Sequence, residues 1–255
     1  MSADPRPIVL EDLDSSSSSY AALFARLEGL CYEAGLNLSN EMVDMCLRHL
    51  LYVEQVNAYI NLTRITNLDE ALILHVLDSL LLLKYLPSSP QLVLDMGTGA
   101  GYPGLPFAIC LDASVTLLDS VGKKIKADNA FATALNLRNV EGVHARLEDY
   151  ALSHPGEFDV VVARALAPLP VLLEYARPLL CDGGTVVLAK GLPSDDEIES
   201  SAVVAKRLGY ELVQRDDFEL PEKLGHRSVF VYQVVRRSSV KLPRQAGEAK
   251  RHPLA

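Results

Sequence analysis

The stretch LVLDMGTGAGYPGLPFAI, residues 92–109, decides how the rest of the chain is read. Apolar residues lead to Asp95, and Gly97, Gly99, Gly101 and Gly104 follow at once. A buried strand running into such a turn lets the backbone approach a ligand closely, because glycines remove side chains and accept positive φ. Two ligand classes use such a turn. GAGYPG (99–104) fits G-x-G-x-x-G, a dinucleotide pattern, and DMGTGAG (95–101) fits D-x-G-x-G-x-G, typical of S-adenosylmethionine (AdoMet) enzymes. Asp95 favours the second, since an acid at a strand end suits the ammonium of AdoMet's methionine and repels a pyrophosphate. Asp119, which ends SVTLLD, suits the ribose hydroxyls of either ligand. Both acids also have a local reading, Asp95 as a cap of the turn and Asp119 as the N-cap of a helix near Val121.

Outward from this loop, short apolar strands alternate with helices: QLVLDM, SVTLLDS, NVEGVHA, FDVVVARA and GTVVLAKG, with helices around 104–111, 123–135, 146–152, 167–180 and 194–208. Apolar strands without polar alternation, separated by helices, predict a parallel sheet covered on both faces. YELVQRDDFEL and SVFVYQVV follow with no helix between them, which predicts a closing antiparallel hairpin. The expected class is therefore α/β, a Rossmann-like AdoMet-dependent methyltransferase sheet, mostly parallel with a final antiparallel hairpin. Ahead of it, 3.6-residue periodicity starts near Tyr20, and Ser39 and Asn67 stand where helix caps belong. The expected organisation is a disordered extension 1–19 ending in a serine run, a helical lead-in 20–86, the AdoMet-binding domain 87–237 and a basic tail 238–255.

Among 255 residues, 49% are hydrophobic, enough for a full core, yet no uninterrupted apolar run could span a membrane. The amino end shows no basic segment followed by an apolar stretch, so no secretory signal is read. Cys31, Cys46, Cys110 and Cys181 are far apart and form no C-x-x-C, which predicts reduced core thiols, no metal and a cytoplasmic protein. The net charge of −9 argues against a polyanionic partner, but it hides an asymmetry. Arg236, Arg237, Lys241, Arg244, Lys250 and Arg251 crowd the tail against a single acid, Glu248. Such a tail either grips nucleic-acid phosphates or packs back on the sheet edge through Pro253 and Leu254.

Methyl transfer from a sulfonium needs a nucleophile in line. No cysteine stands at the active end of the sheet for pyrimidine C5 chemistry. The turn after the fourth strand reads ARALAPLP (163–170) in place of the polar-Pro-Pro-aromatic turn of amine methylation. No base constellation for a hydroxyl is evident. A ring nitrogen with a free lone pair, such as guanine N7, needs only positioning and desolvation.

The chain resembles the RsmG/GidB family of bacterial 16S rRNA guanine-N7 methyltransferases, over roughly residues 20–254. The matching stretches are NLTRI (61–65), HVLDSL (75–80), the glycine loop, LLDSVGKK (117–124), ARLED (145–149), ARALAPL (163–169), LAKG (188–191) and RHPL (251–254). Val56 stands where the family has a tryptophan, and Leu242, Ala246 and Ala249 replace a tyrosine and two prolines of its tail. The resemblance implies AdoMet contacts at Gly97, Tyr102, Leu147, Glu148 and Arg164; strand-end logic adds Asp95, Gly99 and Asp119. Arg164 and Lys190 are the expected catalytic residues, Arg164 near the methionine carboxylate or the methyl-transfer centre and Lys190 toward RNA phosphate or guanine O6, with a solvated loop lysine the alternative. Lys123, Lys124, Arg227, Arg244, Lys250 and Arg251 are the expected RNA contacts, with an ion pair the alternative for Arg227. His75 and Asp78, three residues apart, either hold the lead-in helix over the cofactor or pair at the surface. The implied partner is 16S rRNA or a small-subunit precursor, with no membrane and no protein partner. Two rivals are a nicotinamide-dependent oxidoreductase using GAGYPG and a non-catalytic RNA-binding protein with an AdoMet fold.

Overall fold

The structure, a computed structural model, describes residues 7–254. Seven strands form one sheet: β1 (Leu92–Met96), β2 (Ser114–Asp119), β3 (Val140–His144), β4 (Phe158–Arg164), β5 (Leu180–Lys190), β6 (Tyr210–Glu219) and β7 (His226–Val234). Their order is β3-β2-β1-β4-β5-β7-β6. β1 to β5 pair in parallel, and β7 runs antiparallel between β5 and β6. The strand order reverses between β1 and β4. The carboxyl ends of those two strands, at Met96 and Arg164, therefore border the crevice where such sheets bind ligands. β5 begins earlier than GTVVLAKG suggested, so Cys181 lies inside it, though still at its amino end.

Helices α5 (Gly104–Cys110), α6 (Gly122–Ala134), α7 (Leu147–Ser153), α8 (Leu169–Ala176) and α9 (Asp195–Leu208) connect the strands. In front stand α1 (Ser18–Glu33) and α2 (Asn40–Asn57). A continuous helical rod follows them: α3 (Leu68–Ala71), a π-helical turn (Leu72–Leu77) and α4 (Asp78–Leu81). Ser17, Ser39 and Asn67 cap α1, α2 and α3 through their side-chain oxygens.

Leu47, Leu50, Leu72 and Val76 of the lead-in share one core with Val93, Phe107, Phe131 and Val162, so the lead-in is the cover of one sheet face. Leu94, Met96, Val161 and Leu188 point the other way, into a core with Leu172, Leu173, Val204 and Leu208. The disordered extension expected over 1–19 needs correction where residues are described; residues 1–6 lie outside that range. Ile8, Leu10 and Leu13 pack on the first core, and Glu11 exchanges two hydrogen bonds with the Gln55 amide (2.9 and 3.2 Å). The serine run is no linker either, since it supplies the cap and first turn of α1. Among the described residues no helix is long and apolar enough to cross a membrane.

Candidate active site

Two clefts meet at Gly97, which lines both. The inner cleft lies between the glycine loop and the lead-in, walled by Thr63, His75, Asp78, Tyr102, Arg164, Lys190 and Arg227. The outer cleft lies beyond β2 and β3, walled by Asp119, Arg146, Leu147, Glu148, Tyr175, Gly247 and Lys250.

The loop between them is fixed from behind. His49, fully buried on α2, donates its Nε2 proton to the Ala100 carbonyl (2.9 Å), and burial pulls its pKa down to about 3. Asp95 accepts from the Gly104 backbone N–H at the start of α5 (2.8 Å). It is 1% exposed and borders neither cleft, so the expected ammonium anchor is corrected to a loop cap. Burial pushes its pKa up to about 6. A Cβ on Gly104 would sit 2.1 Å from Leu117 and 2.8 Å from the Asp95 carboxylate, which is why the fourth glycine is needed. Gly99 differs. Its φ is +70°, and a Cβ there would meet nothing nearer than the Gly97 carbonyl at 3.9 Å. The space over Gly99 is therefore open cleft, and its N–H donates to the Asp119 carboxylate (3.2 Å). Asp119 also accepts from Val121 N–H (2.9 Å), bracing the turn before α6; it is not the N-cap, which is Val121, and it has a place on the cleft wall.

In the inner cleft one buried carboxylate holds two arginines. Asp78, 1% exposed, accepts from Arg164 Nη1 (2.9 Å) and Arg227 Nε (2.8 Å). Arg164 Nη1 also reaches the Leu74 carbonyl (2.8 Å) in the π-helical turn. The cluster carries one net positive charge facing the cleft. The ring of Tyr102 lies 5.6 Å beneath the Arg164 guanidinium and stacks on His75 at 5.0 Å. His75 Nε2 shares a hydrogen with Thr63 Oγ1 (2.9 Å), and burial, then Arg164, pull its pKa down to about 3. Lys190 Nζ is bound by the Ala167 carbonyl (2.9 Å) and Glu197 (3.1 Å).

The family model for rRNA small subunit methyltransferase G matches residues 42–236. Relatives named ribosomal RNA small subunit methyltransferase G include one from Carboxydothermus hydrogenoformans, 35% identical over 90% of this chain and 99% of its own. One from Acetivibrio thermocellus is 34% identical over 86% and 92%, and one from Bacillus cereus is 32% identical over 90% and 98%. The chain belongs to this family.

Solved structures similar to this rRNA methyltransferase family member share its fold at low identity. A geranyl diphosphate methyltransferase superposes with a TM-score of 0.53 at 14% identity, covering 62% of this chain and 78% of its own. TYW2 from Pyrococcus horikoshii does so with a TM-score of 0.52 at 15% identity, covering 64% and 63%. Membership resolves the choice the glycine pattern left open, and the geometry gives a reason: Asp95 occupies the N–H at the start of α5 that would receive a pyrophosphate.

The site fits the cofactor of this family in shape and donor set. The two clefts share Gly97, with a carboxylate, Asp119, on the wall of one and a net positive cluster on the wall of the other. Of the expected cofactor residues, Gly97, Gly99, Tyr102 and Arg164 border the inner cleft, and Gly97, Asp119, Leu147 and Glu148 the outer. The expected RNA contacts divide. Lys123, Lys250 and Arg251 are exposed, whereas Lys124 leans on Asp119 at 3.8 Å. Arg227 makes the ion pair that was its alternative, at the cleft wall. Arg244 is corrected: its guanidinium is bidentate on the buried carboxylate of Glu174 (2.5 and 2.6 Å), so it has no face for a phosphate. Sequence reasoning missed His49, Glu174 and Gly247. None has a local signal, because each acts on a residue at least 51 positions away.

Proposed function

We propose that the chain transfers the methyl group of AdoMet to N7 of a guanine in 16S ribosomal RNA, in the cytoplasm, on naked rRNA or a small-subunit precursor. The observation that carries the nitrogen assignment is the absence of an effective base on the inner cleft wall among the described residues. His75, its pKa pulled down to about 3, is too weak a base to take a proton at neutral pH; its Nε2 is engaged by Thr63 and its Nδ1 is buried without a partner. Asp78 is held by two arginines, and Lys190 is paired with Glu197. Nothing there is poised to remove a proton, which suits a ring nitrogen that has none to lose.

AdoMet, when bound, supplies an electrophilic methyl on a sulfonium. The chain's residues bind and orient. Asp119, Leu147 and Glu148 would take the adenosine and its ribose, and the backbone at Gly97 and Gly99 the middle of the molecule. The net positive Arg164–Asp78–Arg227 cluster suits the methionine carboxylate or a phosphate of the target nucleotide, and a desolvated wall strengthens either contact. Arg164 would act at the transfer centre. Lys190 would reach guanine O6 or RNA phosphate only on leaving Glu197. Lys123, Lys250 and Arg251 would meet more distant phosphates.

Mass spectrometry of 16S rRNA nucleosides from cells with and without this gene tests the reading. Loss of 7-methylguanosine on deletion, and its return when purified protein and AdoMet are added to the unmethylated substrate, is expected. Unchanged 7-methylguanosine refutes it.

A further inference from the structure

We infer that the carboxyl-terminal segment around Gly247 is the outer wall of the adenosine cleft, held shut by the buried Arg244–Glu174 pair, so that Arg244 positions the cofactor. The inference rests on the AdoMet reading above and assigns this segment a task other than gripping RNA.

Gly247 and Lys250 border the same cleft as Asp119, Leu147 and Glu148. The contact is specific: with φ at +77°, Gly247 aims its N–H at the Glu148 carboxylate and donates at 2.7 Å. The carboxylate expected to meet the cofactor is thus oriented by the tail. The segment is anchored on both sides of that contact. Before it, Arg244 makes two parallel hydrogen bonds to Glu174 (2.6 and 2.5 Å) and one to the His252 carbonyl (2.9 Å). After it, Ala249 and Leu254 are buried in the core under α8, and Arg207 donates to the Leu254 carbonyl.

Glu174 is only 4% exposed, so an opened tail would strand a charge in the protein interior. That cost makes the closed position the stable one. Glu174 and Tyr175 are neighbours on α8. The first holds the latch and the second borders the cleft, so latch and wall move as one piece. Whatever fills the cleft must then stabilise the closed tail, because two events on one equilibrium are linked reciprocally.

The test uses the full chain. Titration calorimetry with AdoMet on Arg244→Ala and Arg244→Lys is paired with filter binding of 16S rRNA at several salt concentrations. Amide hydrogen exchange of the unaltered protein is followed with and without saturating AdoMet. A tenfold or greater loss of AdoMet affinity in Arg244→Ala, a smaller loss in Arg244→Lys, and an unchanged salt slope for RNA are expected. AdoMet should slow exchange across residues 244–254, a response that a purely structural tail would not give. AdoMet affinity within twofold of the unaltered protein in a folded Arg244→Ala overturns the inference. So does exchange at 244–254 that ignores AdoMet, and this measurement decides even where the variant does not fold. An unaltered protein that binds no AdoMet would refute the functional proposal itself, and the inference with it.

Discussion

Two arginine–carboxylate clusters close the two faces of this molecule, and they are built in opposite senses. On the lead-in side, Asp78 comes from the covering helix, and both arginines, Arg164 and Arg227, come from the sheet. On the tail side, Arg244 comes from the covering segment, and its carboxylates are Glu174 of α8 and Glu248. The first cluster has more arginine than acid and borders the cleft. The second has more acid than arginine and is turned into the protein. The inner cleft is thus held by a charged joint that also faces its open space, and the outer cleft by a joint that only holds a wall.

Replacing the glycine beneath the open space of the inner cleft should have the largest effect. Gly99→Val is expected to abolish AdoMet binding by calorimetry, since the side chain would fill the open space at φ +70°. The backbone strain should cost about 1–2 kcal/mol, leaving a folded protein. Retained affinity in a folded variant would remove the loop from the site.

Asp78→Ala strands two arginines that are only 13% and 18% exposed. A loss of about 3–5 kcal/mol in denaturant unfolding is expected. At temperatures where the variant stays folded, turnover should fall at least a hundredfold. Full turnover in the folded fraction would leave the inner joint with no part in the reaction.

Asp95 lies behind the loop and should speak through stability. Its folded pKa, about 6, stands above the ordinary 3.8, so the native state binds its proton more tightly than the unfolded chain does. The stability this contributes is complete below about pH 4 and is lost as pH rises through 6. Asp95→Asn keeps an acceptor for Gly104 N–H and has no charge to bury. Its stability relative to the unaltered protein should rise by about 2 kcal/mol between pH 4 and 7. Urea unfolding across that range checks it, and a constant difference would mean Asp95 titrates normally.

The smallest effects belong to the exposed tail charges. Lys250→Ala and Arg251→Ala should each lower the log–log salt slope of RNA binding by roughly one unit if each meets a phosphate. An unchanged slope in both would leave the tail with no task in RNA binding.

The sheet, its closing hairpin and the glycine turn after β1 were legible because they rest on local patterns: apolar strands and glycines at a turn. Asp95 was misjudged because β1 is buried on both sides. Val93 and Leu94 face different cores, so no polar alternation reveals that Asp95 shares the face of Val93. The amino-terminal segment was misjudged by composition, since its serines mask Leu10 and Leu13. The tail's two readings stayed open because its charge density is local, whereas the partner of Arg244 lies 70 residues away; the buried Leu254 matches the packing reading. Electrostatic pairing across the fold leaves no periodicity to read.

The π-helical turn at Leu72–Leu77 makes the length of its helix a functional quantity. A π turn holds one residue more than the α-helical register would, and the Leu74 carbonyl within it accepts from Arg164. Removing a single codon there would restore ordinary helix and leave the hydrophobic pattern nearly intact. It would keep Asp78 on its face of the helix but draw the Leu74 carbonyl back into the α-helical ladder, away from Arg164. Insertions and deletions are usually absorbed by surface loops; in this rod, a one-residue gap would act as an active-site mutation.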